Sequence, residues 1–290
     1  MDPAGPQTRD PEEPRDPEKP KGRAGRNLPA AIGVGVGLGG LAVLTLFTVK
    51  ATFLAYMGIA VLIALAELTG ALAKRDINIP AIPVAVGGAA VVTCAYWLGP
   101  RYALASLGLT VIAIFAWRLF GGTSGYVKDT TAGIFAVAYL PFLASFVAAM
   151  LVPADGPRRV LTFVILTVCS DIGGYFAGIT TGRHPLAPAI SPKKTWEGFA
   201  GSVVACLVAG WLCVTLLLHG HAWQGVLTGA AVVLAATLGD LVESMIKRDL
   251  DIKDMGTLLP GHGGILERLD SLVVAAPVVW FLLYLFIPAR

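Results

Sequence analysis

Charged residues are scarce in this chain of 290 residues. Asp, Glu, Lys and Arg together make up 14% of it, whereas ordinary soluble domains carry about 25%. The hydrophobic fraction is 56% and the mean hydropathy is +0.72. This composition excludes an ordinary soluble domain and indicates a chain that is mostly embedded in a membrane.

Cysteine is also rare, and its placement argues against two common uses of thiols. The four cysteines all lie in apolar runs, and none belongs to a CxxC pair. We therefore interpret them as small buried side chains, not as a disulfide framework or a zinc site. They are Cys94, Cys169, Cys206 and Cys213.

Nine apolar stretches are each close to the ~20 residues that a helix needs to cross a bilayer. They are longer than the ~10 residues of a membrane barrel strand, and they do not alternate. The sequence therefore predicts an all-α, polytopic integral membrane helix bundle with about nine transmembrane helices. The stretches cover residues 28–49, 51–73, 80–98, 102–120, 130–152, 158–180, 197–218, 222–245 and 269–288.

Residues 1–27 are rich in proline and charge, with six acidic and six basic side chains. No apolar pattern repeats there, so we predict a disordered tail that precedes a transmembrane catalytic domain over residues 28–290. The first apolar stretch stands behind this polar tail, and we expect it to remain as an uncleaved anchor.

The distribution of basic residues predicts the orientation. If the N-terminus is cytoplasmic and the stretches alternate, the cytoplasmic side collects 17 of the 22 lysines and arginines. That bias follows the positive-inside rule. We therefore predict a multi-pass protein of the cell (inner or plasma) membrane, with a cytoplasmic N-terminus and a cytoplasm-facing active site.

A glycine run, GVGVGLGG at residues 33–40, has the glycine-rich composition of a nucleotide-binding loop. It does not follow a strand of a βαβ unit, so that reading is weak. Small residues in a spanning helix usually allow close helix packing, and we interpret the run in that way.

Two polar segments interrupt the apolar pattern, and the first covers residues 170–198. Asp171 and Tyr175 lie four residues apart and so share one helical face. A carboxylate at membrane depth is costly, which indicates a partner or a wet cavity. In the following loop, a rigid turn at Ser191–Pro192 is expected to present cations to an anion. These cations are Arg183, Lys193 and Lys194.

The second polar segment covers residues 239–271. Asp240, Ser244 and Lys247 fall on one stripe of a helix, and other charged residues flank it. Hard oxygen ligands therefore alternate with cations in one compact region. The flanking and following residues are Glu243, Arg248, Lys253, Asp254, His262, Gly263, Gly264, Glu267, Arg268 and Asp270.

This mixture of side chains suits a metal-bound polyphosphate. Carboxylates without cysteine favour Mg²⁺ over zinc, and a second cation is left open. Lysine and arginine match phosphate oxygens, and Gly263–Gly264 would let backbone N–H groups approach phosphate. Because the chain is embedded in a membrane, we expect the other substrate to be a lipid.

The segment SMIKRDLDIKDMGTLLPGHGGILERLDS, residues 244–271, resembles the signature of bacterial phosphatidate cytidylyltransferases (CDP-diacylglycerol synthases). That signature reads S-x-x-K-R, K-D, P-x-H-G-G and D-R-x-D. The earlier SDIGGYFAG and SPKKTWEG are similar to the second block of that family, in the same order. One departure is Glu267, which stands where the family typically has Asp.

The resemblance implies that CTP and phosphatidate give CDP-diacylglycerol and diphosphate. We hypothesise that Asp240, Glu267 and Asp270 form the carboxylate cluster that binds Mg²⁺. CTP and the membrane lipid phosphatidate are the expected partners, a homodimer is left open, and no nucleic acid is expected. The catalytic candidates are Ser244, Lys247, Arg248 and Asp270, and the substrate-binding candidates are Asp171, Tyr175, Arg183, Lys193, Lys194, Lys253, Asp254, His262, Gly263, Gly264 and Arg268.

Two other functions remain as alternatives. A membrane lipid or prenol kinase that uses CTP needs the same metal and cations, so its product must distinguish it. A transporter would predict inverted repeats and broken helices near the bilayer midplane. The polar residues crowd helix ends instead, and no internal repeat is visible. The D-G-x-x-A-R motif of CDP-alcohol phosphotransferases does not occur.

Overall fold

The computed structural model describes residues 28–256 and 263–288. A π-helical turn, Ala138–Phe142, joins the helices Tyr126–Val137 and Leu143–Leu151 into one continuous helix. The elements are α1 (Leu28–Thr48), α2 (Lys50–Ala73), α3 (Ala81–Trp97), α4 (Pro100–Leu119), α5 (Tyr126–Val137), α6 (Leu143–Leu151), α7 (Gly156–Thr181), β1 (Pro185–Ala187), β2 (Ser191–Thr195), α8 (Trp196–Leu216), α9 (Ala222–Asp249) and α10 (Leu266–Phe286).

The predicted all-α membrane architecture is confirmed. Each of the nine predicted stretches corresponds to one helix, with α5 and α6 counted together. Within the described ranges, seven helices are long and apolar enough to cross a membrane, and the apolar parts of α1 and α3 are shorter. The cysteines are free, as predicted, and Cys206 and Cys213 are buried. The predicted tail, residues 1–27, lies outside the described ranges.

A short β-hairpin between α7 and α8 is the exception to the helical pattern. Strands β1 and β2 pair in antiparallel fashion, with Pro185 opposite Thr195 and Ala187 opposite Ser191. The predicted turn at Ser191–Pro192 is therefore wrong, because these residues begin β2. The turn covers residues 188–190 instead. Proline is tolerated near the start of a strand, where its missing N–H need not break a ladder.

The helices alternate in direction, so the bundle has two ends. We call the site end the one that carries the ends of α7 and α9 and the starts of α8 and α10. At the other end, Arg159 is 4% exposed, forms an ion pair of 2.9 Å with Asp155 and donates to the Ile287 carbonyl at 3.0 Å. This arginine binds the last carbonyls of α10 to the start of α7, where bilayer lipid offers them no partner.

Glycines determine how closely α7, α8 and α9 pack. A Cβ on Gly225 of α9 would lie 2.2 Å from the backbone oxygen of Gly210 in α8. A Cβ on Gly201 of α8 would lie 2.6 Å from the backbone oxygen of Gly173 in α7. Because helices in a membrane gain stability from packing, such small residues allow the backbones to touch.

The glycine run of α1 does not take part in this packing. A Cβ on Gly33, Gly35, Gly37, Gly39 or Gly40 would have no atom of the described chain within 4 Å. The interpretation of this run as a close helix contact is therefore wrong for the described residues. Within this run α1 is reached from α2 by the long side chain of Tyr56, whose hydroxyl donates to the Leu38 carbonyl at 3.2 Å.

Substitution of Gly225 by alanine should destabilise the bundle, because its Cβ meets backbone that cannot rotate away. We expect a loss of about 1–3 kcal/mol, measured as a lower thermal unfolding temperature in detergent. Gly70→Ala in α2 is the matched control, since its Cβ would have open space. Equal unfolding temperatures for the two variants would contradict the assigned packing.

Candidate active site

A cavity of about 380 Å³ lies at the site end, among α7, the hairpin, α8, α9 and α10. Its volume lies within the range of small-molecule sites. Side chains from both predicted segments line it, so residues 170–198 and 239–271 meet in one place. The predicted site residues in its lining are Asp171, Tyr175, Lys193, Lys194, Asp240, Glu267, Arg268 and Asp270.

Two carboxylates reach the cavity from adjacent helices, Asp240 from α9 and Asp270 from α10. Gly239 makes this approach possible, because a Cβ there would lie 2.4 Å from the Asp270 backbone oxygen. One carboxylate oxygen of Asp270 also accepts the N–H of Ser271 at 2.7 Å. The close contact at Gly239 therefore brings carboxylate oxygens from two facing helices into one cavity.

The hairpin carries Lys193 and Lys194 to the mouth of the cavity. The ammonium group of Lys194 contacts the carboxylate of Asp240. The guanidinium of Arg248, at the end of α9, donates to the Ile190 carbonyl in the hairpin turn at 3.3 Å. The predicted catalytic Arg248 thus holds the hairpin, and it does not line the described part of the cavity.

The base of the hairpin is held by the first turn of α8. Glu197 accepts from the Arg183 backbone N–H at 3.1 Å and contacts the ring Nδ1 of His184 at 2.6 Å. The Thr195 hydroxyl oxygen accepts the N–H of Gly198 at 3.1 Å and so caps α8. These bonds fix the strand that presents the two lysines.

Lys247 has carboxylate partners behind the cavity. It forms an ion pair of 2.5 Å with Glu243 and lies 3.4 Å from Glu267. Glu243 is 3% exposed, and its Oε1 has no partner among the described residues. In this arrangement Lys247 compensates buried negative charge, and its contact with phosphate stays a prediction.

The start of α10 uses its glycines differently from the prediction. The Gly264 N–H, expected to approach phosphate, donates to Glu267 Oε2 at 2.6 Å. Gly263 has φ +78°, a conformation that favours glycine. Both oxygens of Glu267 therefore have protein partners, Gly264 and Lys247, although the side chain lines the cavity.

The other predicted site residues that the structure describes do not line this cavity. His262 lies outside the described residues, so the structure does not test its role. Those that are described but lie away from the cavity lining are Ser244, Lys247, Arg248, Arg183, Lys253, Asp254, Gly263 and Gly264.

Sequence reasoning missed Glu67, a half-buried residue of α2. Its Oε1 accepts the N–H of Ile265 at 3.1 Å, and its Oε2 accepts that of Leu266 at 2.9 Å. A signal was available, because Glu67 is the one acidic residue in the apolar stretch 51–73. An ionisable group inside a spanning helix indicates a specific partner.

The cavity lining suits a hard cation shared with phosphate. Four carboxylates and three cations line it, and its acidic ligands offer only oxygen. No three acidic, histidine or cysteine groups within 28–256 and 263–288 converge enough to hold a metal ion by themselves. Mg²⁺ is usually bound by one or two carboxylates together with substrate phosphates, which this geometry allows.

A membrane bundle with a carboxylate- and cation-lined cavity at one end has the features of an enzyme that acts on phosphate groups. The sequence pattern of the cytidylyltransferase family matches residues 29–286. The chain belongs to that family, which confirms the resemblance seen in the sequence.

Named relatives agree with this assignment. The chain is 44% identical over 283 residues to a phosphatidate cytidylyltransferase of Mycobacterium leprae (strain TN), covering 91% of this chain and 89% of the relative. It is 41% identical over 276 residues to one of Mycobacterium bovis, covering 91% and 90%. A match to one of Synechocystis is 42% identical over 141 residues, covering 47% of each chain.

Loss of the α8 cap should loosen the hairpin that carries Lys193 and Lys194. For Thr195→Ala we expect a stability loss of about 1 kcal/mol. We also expect faster hydrogen exchange over residues 185–195. Thr180→Ala is the control, because that hydroxyl donates only within its own helix. Unchanged exchange in Thr195→Ala would refute the role assigned to the cap.

Proposed function

We propose that this chain is a phosphatidate cytidylyltransferase, which converts CTP and phosphatidate to CDP-diacylglycerol and diphosphate. The observation that carries the proposal is the convergence of Asp240 and Asp270 with Lys193, Lys194 and Arg268 around one cavity. That cavity lies at the end of a membrane bundle, where a lipid phosphate and a water-soluble nucleotide can meet. Family membership supports the same reaction.

The proposed reaction needs positioning more than proton transfer. A phosphatidate phosphate oxygen attacks the α-phosphorus of CTP, and the bond between that phosphorus and the bridging oxygen to the β-phosphate breaks. The electron pair leaves with diphosphate. Because the attacking phosphate is already an anion near neutral pH, a strong general base is unnecessary.

The cations of the cavity have a direct task in this reaction. Lys193, Lys194 and Arg268 would bind phosphate oxygens of the two substrates. In the structure Lys194 contacts Asp240, so we propose that it exchanges this carboxylate for phosphate when CTP binds. Asp171 and Tyr175 line the α7 wall of the same cavity.

We also propose Mg²⁺ as the cofactor, because four carboxylates and a triphosphate would otherwise repel each other. Asp240 and Asp270 would hold the ion, and Glu267 stays a predicted ligand whose oxygens already have partners. When bound, the ion neutralises charge on the phosphates and helps to orient them. The chain's own contribution is to hold the two carboxylates together through the contact at Gly239.

The site end is proposed to face the cytoplasm, where CTP is available. Basic residues cluster at this end, including Arg75, Arg118, Lys128, Lys253 and Arg268, as the positive-inside rule requires. We propose the cell membrane as the location of this multi-pass enzyme.

Replacing either aspartate of the cavity should abolish most activity. With CTP, phosphatidate and Mg²⁺, we expect Asp240→Asn and Asp270→Asn to form CDP-diacylglycerol at least about 100-fold more slowly. The control is Asp251→Asn, whose carboxylate is 91% exposed. Full activity in either cavity variant would disprove the metal assignment. A wild-type protein that releases CDP in place of diphosphate would be a kinase.

Labelling with a membrane-impermeant maleimide tests the orientation. Lys253 and Arg158 are exposed and lie at opposite ends of the bundle, and each would be replaced by cysteine. We expect Lys253→Cys to react only in inverted vesicles and Arg158→Cys only in intact cells. The opposite pattern would reverse the proposed topology, and wild-type protein provides the background from its four native cysteines.

A further inference from the structure

The start of α10 depends on a carboxylate from another helix. The first N–H groups of a helix lack partners within it, and a side chain at the N-cap usually provides one. Here Ile265 occupies the N-cap position and offers no such side chain. Glu67 of α2 accepts the N–H groups of both Ile265 and Leu266 instead. Its negative charge also complements the positive end of the helix dipole.

The backbone around Glu67 is shaped to admit this carboxylate. A Cβ on Gly256 would lie 2.2 Å from Glu67 Oε1, and one on Gly264 would lie 2.5 Å from Oε2. Any larger residue at either position would displace the carboxylate. The two glycines therefore bring the chain on both sides of residues 257–262 against one side chain of α2.

A second bond from α2 holds the chain just after α9. The guanidinium of Arg75, next to the end of α2, donates from Nε to the Leu250 carbonyl at 2.8 Å. Residues 250 and 265–266 are thus both bound to the same helix. Consequently, α2 sets where α9 ends relative to where α10 begins.

The residues next to these bonds are the ones that line the cavity. Glu267 and Arg268 directly follow Leu266, and Asp270 lies in the next turn of α10. A shift of the Ile265 and Leu266 amides would rotate or translate all three side chains. A displacement of about 1 Å in an active site can cost about 100-fold in rate.

We propose that Glu67 is a positioning residue of the active site. It holds the first turn of α10 so that Glu267, Arg268 and Asp270 face the cavity, and it touches no substrate itself. This proposal rests on the proposed function, because its effect is measured on that reaction.

The test compares Glu67→Ala and Glu67→Gln with the charge-matched control Asp249→Asn, an exposed residue at the end of α9. We expect kcat per folded protein to fall about 10- to 100-fold in Glu67→Ala. A smaller fall is expected in Glu67→Gln, because its remaining carbonyl oxygen can still accept one N–H. The KM for CTP should change less than kcat, because the cations of the hairpin remain in place. Hydrogen exchange at residues 265 and 266 should accelerate in both variants, and the control should match wild type.

The outcomes separate this proposal from the proposed function. If the wild-type protein forms no CDP-diacylglycerol, the proposed function itself is wrong. With an active wild type, wild-type kcat in folded Glu67→Ala would overturn the positioning role alone. A lower unfolding temperature with unchanged kcat, or loss of the folded protein in both variants, would show a purely structural role and would also overturn it.

Discussion

The contact between α9 and α10 at Gly239 is the interaction on which the site depends. Hydrophobic collapse provides little force between helices that lie in lipid, so close packing must hold them together. A side chain at position 239 would meet the backbone of Asp270 and Ser271. Without that close approach, Asp240 and Asp270 would not line the same cavity. The geometry of the candidate site is therefore a consequence of helix packing at one glycine.

That packing brings acidic groups together, which creates a second constraint. Charges near a low-dielectric region are costly unless they are paired. Two groups of ion pairs compensate these charges. Lys194 pairs with Asp240 at the cavity, and Lys247 pairs with Glu243 and Glu267 behind it. The inner pair is more buried, so loss of either partner would leave an uncompensated buried charge, whereas the outer lysine is more exposed.

Much of the fold could be predicted from the sequence, because the length of an apolar stretch indicates whether it can cross a bilayer as a helix. The nine helices within the described ranges, with α5 and α6 counted together, follow from that signal alone. The hairpin could not be predicted in this way, since its strands are short and Ser191–Pro192 has the composition of a turn. Within the site, the composition and spacing of residues 239–271 predicted that Asp240 and Asp270 belong to one metal–phosphate site. The spacing could not show that Lys247 and the Gly264 N–H would bind carboxylates of the same chain.

The role of α2 shows why local patterns miss part of a site. Glu67 lies 198 residues before Ile265, so no motif window contains both. Only the folded bundle brings the carboxylate to the unpaired amides of α10. Buried backbone N–H groups require partners, and a membrane offers no water to provide them. When the buried start of a helix lacks its own cap, another element must therefore supply the acceptor. The start of α10, and with it the candidate site, depends in that way on a helix that sequence reasoning had treated as a plain membrane span.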